Sequence, residues 1–76
     1  MDGMHSYIVT GRRLDEDDDT VLKFWADDRE HATEQFDNFM WQGADRDSPE
    51  RAAVRAEHDG IDLIVESVLE ANASAP

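Results

Sequence analysis

Two short β-branched and aromatic runs open the chain, Ser6-Tyr7-Ile8-Val9-Thr10 and Val21-Leu22-Lys23-Phe24-Trp25, with a polar stretch from Leu14 to Thr20 between them. Such runs predict strands, and two in succession across a polar turn predict a β-hairpin. Alternation in the second run sets Leu22, Phe24 and Ala26 on one face and Val21, Lys23 and Trp25 on the other. The first set is a core face, and the second is only partly polar.

Beyond the hairpin the period changes to that of a helix. Asp27-Asp28-Arg29-Glu30 supplies an acidic N-cap with a glutamate at the third helical position, similar to a capping box. Ala32, Phe36, Phe39 and Met40 then recur at i, i+4, i+7 and i+8, a stripe able to cover the hairpin. With Gly43 as a stop, the spacing predicts a helix from about Asp28 to Trp41.

The last third admits two readings. Ser48-Pro49-Glu50 is a helix start, serine capping and proline at the first helical position, and Ile61, Ile64, Val65, Val68 and Leu69 fit a helical stripe. The rival takes Asp59-Gly60 as a type I′ turn. It pairs His58 with Ile61, Ala56 with Leu63 and Val54 with Val65, and gathers Val54, Ala56, Ile61, Leu63 and Val65 on one face. The run of β-branched residues favours strands. The expected fold is therefore α+β: an antiparallel β-hairpin, an amphipathic helix packed on the sheet, then a C-terminal β-hairpin or strand, with C-terminal helices as the alternative. No repeat or Pro/Gly linker divides the chain, so residues 1–76 are expected to form one small acidic domain with a frayed tail at 71–76.

Composition narrows what such a domain can do. At 76 residues and 8.6 kDa, without cysteine, the core is near the lower limit for independent folding and no disulfide reinforces it. The 19 acidic and 7 basic side chains give a formal charge of −12 and a pI near 4.3, which excludes direct affinity for DNA, RNA or anionic lipid. A mean hydropathy of −0.71 points toward disorder, but 39% hydrophobic residues with both tryptophans and three phenylalanines suffice for a small core. No run approaches the roughly 20 apolar residues of a membrane span. Met1-Asp2-Gly3-Met4-His5 lacks the basic and apolar regions of a signal peptide, so a cytoplasmic protein is expected. The preference for Asp over Glu, and for arginine over the single lysine, Lys23, fits a GC-rich genome or a salt-adapted host.

The acid is unevenly spread, with three quarters of the net charge between Asp15 and Asp47. Asp15, Glu16, Asp17, Asp18 and Asp19 sit together in the hairpin turn. Asp15, Asp17 and Asp19 have the alternate spacing that opens an EF-hand loop, but Thr20 stands where glycine is needed and Ala26 where the bidentate glutamate should be. A solvated tip, or an acidic contact for a basic partner, is the better reading. On the helix, Asp27, Glu30, Glu34 and Asp37 follow a 3-4-3 spacing that lines them up within an arc of about 80°, facing away from Ala32, Phe36 and Phe39. Interspersed lysines, usual on an exposed helix face, are missing. Trp25 and Trp41 are either core or apolar anchors, and Trp25 shares its strand face with Lys23.

Catalysis and cofactors find no support. His5, His31 and His58 lack a metal-ligand spacing, and there is no nucleophile elbow or glycine-rich phosphate loop. The expectation is a protein that is not an enzyme, with no catalytic residues, no metal and no cofactor.

In size, charge and pattern, the chain resembles the small acidic inhibitors carried by phages and plasmids, the anti-CRISPR and antirestriction proteins that act as DNA mimics. The features that carry the resemblance are the hairpin, the helix row Asp27, Glu30, Glu34 and Asp37, and the tip Asp15 to Asp19. The resemblance implies a stoichiometric inhibitor that sets carboxylates where DNA phosphates would sit, on a basic nucleic-acid-binding protein such as a host defence complex. The partner-binding residues would be Asp15, Glu16, Asp17, Asp18, Asp19, Asp27, Glu30, Glu34 and Asp37, with Trp25 or Trp41 as anchor. The rival expectation is a salt-adapted structural domain that dimerises through the sheet face bearing Trp25 and Val21.

Overall fold

The computed structural model describes residues 5–71. In chain order these form β1 (His5–Arg13), β2 (Thr20–Ala26), α1 (Arg29–Met40), α2 (Pro49–Glu57) and β3 (Leu63–Glu70). The strands make one antiparallel sheet in the order β2-β1-β3, and α1 packs across it. The α+β architecture is as expected, and so is the leading hairpin, paired from His5 with Ala26 to Gly11 with Thr20. β3 lies on the other side of β1, with Tyr7 opposite Glu70 and Arg13 opposite Leu63.

The β1–β3 ladder carries one irregularity. Thr10 pairs with Ser67 and Gly11 with Val65, so Glu66 is an extra residue and forms a bulge. Glycine is required at position 11, because a Cβ there would collide with the Ile64 carbonyl and press on the Phe36 ring.

The core lies between the inner sheet face and α1. Tyr7, Val9 and Ala26 are buried from the sheet, Leu22, Phe24 and Val65 pack around them, and Ala32, Phe36 and Met40 close the core from the helix. Phe24 and Phe36 meet edge to face with centroids 6.5 Å apart. Phe39 departs from the expected stripe and is 56% exposed. Three residues turn a helix by about 300°, which leaves Phe39 some 60° to one side of Phe36, beyond what a three-stranded sheet covers.

Caps and stops are set by local chemistry. The N-cap of α1 is Asp28, whose Oδ1 accepts from the His31 N–H at 2.9 Å. This places His31, not Glu30, at the third helical position, so the expected capping box does not form. Ser48 caps α2 with Pro49 in its first turn, as read from the sequence. Both helices end alike, on a left-handed residue followed by a left-handed glycine: Gln42-Gly43 (φ 51° and 79°) and Asp59-Gly60 (φ 60° and 85°). The Gly43 N–H donates to the Asn38 carbonyl and the Gly60 N–H to the Arg55 carbonyl, the Schellman closure.

That closure corrects the expected C-terminal hairpin. Two successive positive φ angles suit a type I′ turn, but here they terminate α2, so Val54 and Ala56 are helical and do not pair with Val65 and Leu63. The C-terminal strand does form, and β1 is its partner. The helical alternative for Ile61 to Leu69 is not observed. Of the tail expected at 71–76, residues 72–76 lie outside the described residues.

Candidate acidic interface

The surface charge is best understood by following the cations first. Arg13 grips Asp15 with Nε and Nη2 at 2.9 and 2.6 Å, donates to the Met40 carbonyl, and lies over the Trp41 ring 3.9 Å from its centroid. Arg12 donates to the Glu16 carbonyl and Arg29 to the Val68 carbonyl. Arg55 bonds Asp62 at 2.7 Å and the Arg46 carbonyl at 2.6 Å.

Arg51 is the most enclosed of them, 3% exposed. Its Nη1 and Nη2 meet Asp37 at 3.0 and 2.9 Å, its Nε and Nη2 meet Asp62 at 3.0 and 3.2 Å, and Nη1 also reaches the Ala44 carbonyl at 3.2 Å. These contacts use every N–H of a guanidinium. Burial pushes Arg51 toward deprotonation, but the hydrogen bonds to Asp37 and Asp62 outweigh it and hold the group above its ordinary pKa. Burial likewise raises Asp62, and the bonds from Arg51 and Arg55 overturn that and bring it below the ordinary carboxylate range.

This network removes two residues from the expected interface. Asp37 is turned into the Arg51 contact, because α2 and the loop before it cover the C-terminal end of the α1 row. Trp41 is 3% exposed, with Arg13 and Arg51 both near its ring, so it packs and is not an accessible anchor. Nothing in the period of α1 could reveal either outcome. The available signal was Arg51, Arg55 and Asp62 themselves, two arginines at i, i+4 on a capped helix followed by an acid.

The remaining acids stay at the surface. Asp27, Glu30 and Glu34 are exposed and, with Asp28 and His31, line a shallow depression of about 280 Å³. Among the described residues, Asp27 has only His31 nearby, at 3.7 Å, and Glu30 and Glu34 have no ion-pair partner. At the tip, Asp15 is tied to Arg13, whose hydrogen bond lowers its pKa. Asp19 shares a hydrogen bond with Glu66, which raises the Glu66 pKa. Glu16, Asp17 and Asp18 are exposed with no cationic partner among the described residues. The tip and Asp27 thus lie at opposite ends of β2. Trp25, 61% exposed beside Lys23, is on the face of the sheet opposite α1, with Val21 and Leu69.

Among the described residues, no group of three or more His, Asp or Glu side chains is arranged to hold a metal ion, and no helix is long and apolar enough to cross a membrane. A second depression, about 460 Å³, is the mixed-charge cleft lined by Asp37, Arg51 and Asp62, where every Arg51 N–H is already taken. No protein-family model, curated protein or solved structure matches this chain.

Proposed function

We propose that this is a stoichiometric binding protein whose Asp27, Glu30 and Glu34, with Glu16, Asp17 and Asp18 of the tip, occupy a basic nucleic-acid-binding surface of a cytoplasmic partner. It acts by occupancy and not by catalysis, as a DNA mimic does, and a host defence complex is the partner class that fits. The carrying observation is the division of labour among charges: Arg12, Arg13, Arg29, Arg51 and Arg55 are engaged in holding the fold, while these carboxylates are left exposed and, among the described residues, without an arginine or lysine partner. Glu30 and Glu34, one helical turn apart on α1, sit roughly 5–6 Å apart between Cβ atoms, the order of phosphate spacing along a strand, and Asp27 stands just before the extended Asp28 cap, outside the helical row expected for it. Opposite potentials steer such an encounter and make it fast and salt-dependent.

The test is capture from a host lysate at low and at high salt, with wild type and with the variant Asp27→Lys, Glu30→Lys, Glu34→Lys. Wild type should retain a nucleic-acid-binding complex that elutes with salt, and the folded triple variant should not. Equal capture by both proteins rejects the reading.

The exposed Trp25, Val21 and Leu69 favour a second reading, a salt-adapted domain that dimerises through its sheet face. Its signature is a melting temperature that climbs steeply toward molar potassium chloride and a mass that doubles with concentration.

A further inference from the structure

The two edges of the sheet differ in how they are finished. The Ala71 N–H donates to the Ser6 carbonyl at 2.7 Å, which fixes the phase of the ladder: Ser6, Ile8 and Thr10 bond toward β3, and Tyr7 and Val9 toward β2. Val68 on β3, and Val21, Lys23 and Trp25 on β2, therefore turn their main-chain groups outward. At the β3 edge, Arg29 Nη2 covers the Val68 carbonyl at 2.7 Å, and the bulge at Glu66 breaks the straight run that an added strand needs. At the β2 edge, Gln35 Nε2 takes the Trp25 carbonyl at 2.9 Å. Among the described residues, the N–H and C=O groups of Val21 and Lys23 have no partner.

The charges around the β2 edge select its occupant. Asp17, Asp18 and Asp19 precede the strand and Asp27 follows it, all exposed, while Lys23 stands at its middle. Val21 and Trp25, each 61% exposed, flank Lys23 on the outer face. A second copy fits badly: antiparallel β2–β2 pairing centred on Lys23 sets lysine against lysine and acid against acid at both ends, and like charges directly opposite are destabilising. An extended segment with basic ends and an acidic or neutral centre fits at all three places.

We propose that the β2 edge receives such a segment of the partner as a fourth strand. Val21 and Lys23 supply the main-chain hydrogen bonds, the two acidic ends fix its register, and Val21 and Trp25 contact its apolar side chains. The proposal rests on the reading above that the partner is basic, and it adds that part of the partner's docking surface is an extended strand.

The probe is a synthetic peptide, RKVTETVKR, compared with the same peptide N-methylated at its five central residues, which keeps every side chain but can donate no ladder hydrogen bond. Amide exchange and chemical shifts of the full chain are followed by NMR. The expected result is exchange at the Val21 and Lys23 amides slowed about tenfold or more by the first peptide and unchanged by the second. In the folded variant Lys23→Pro, which removes one edge donor, the first peptide should lose its advantage over the second. Equal effects of the two peptides, or no protection at Val21 and Lys23, overturn the proposal. If both peptides still shift Glu30 and Glu34, the acidic-surface reading survives without it. Protection that rises with protein concentration and no peptide assigns the edge to a second copy, and also overturns the proposal.

Discussion

α1 is fastened to the sheet by Ala32, Phe36 and Met40, none more than 7% exposed, whereas the one side chain that α2 buries is the charged Arg51. No other element's backbone packs closely on α2, and apart from the half-buried Val54 it is held by Arg51 and Arg55 reaching Asp37 and Asp62. The two attachments obey different physics. Apolar burial is non-directional and almost indifferent to pH. A buried ion pair has to overcome its desolvation, depends on every partner being charged, and fails badly when one is removed. In a chain so poor in cations, attaching α2 this way also decides which acids are neutralised and which stay free.

The sharpest way to break the comparison is Phe36→Ala. It should cost about 3–5 kcal/mol, and stability of a domain this size is itself about 4–11 kcal/mol, so the whole fold should weaken, with α1 and the sheet melting together in a denaturant titration. Arg51→Ala should cost up to about 3–5 kcal/mol by leaving Asp62 and Asp37 without their shared cation. Its loss should be local first: amide exchange should accelerate in 49–57 before β1 responds. If both variants melt every element at once, the helices are not held differently.

Acid should act on α2 selectively. The folded-state pKa of Asp62 is depressed, so its contribution is full above the unfolded value, near pH 4, and is lost as pH falls through the folded value. Asp15 has the same sign. Glu66 is opposite: its raised pKa favours the fold while it is protonated and loses that effect as pH rises. The melting temperature should therefore be highest in mild acid, where repulsion among the other carboxylates is relieved, and fall below about pH 4. Circular dichroism melts across pH 3–7 check this, and Asp62→Asn should flatten the acid limb.

The smallest effects should separate acids of one helix row. Asp37→Asn loses charge-assisted bonds and should cost about 1.5–3 kcal/mol, whereas Glu34→Gln should change stability by less than about 0.5 kcal/mol. Equal costs would show that the row is uniform and that the Arg51 network does not distinguish its members.

The hairpin and α1 were legible because each writes its own period into contiguous residues: Leu22, Phe24 and Ala26 at period two, Ala32, Phe36 and Met40 near the helical period. Asp59-Gly60 was legible as a left-handed pair but not as a helix stop, since the same backbone angles serve a hairpin turn and a Schellman closure. Whether Ser48-Pro49 or the turn prevailed depended on where β3 could pair, and β1 offered a free edge.

By itself, the sequence determined the two leading elements, the α+β class and where along the chain the acid lies. Only the tertiary structure decided what each acid became. Arg51 reaches Asp37 and Asp62 across 14 and 11 residues of chain, and Trp41 is enclosed beside Arg13 and Arg51. Local periodicity specifies which face of an element a side chain occupies, but a charge is neutralised only by a partner that another element brings within hydrogen-bonding distance. That long-range meeting leaves Asp27, Glu30 and Glu34 facing outward while Asp37, from the same predicted row, holds α2 in place.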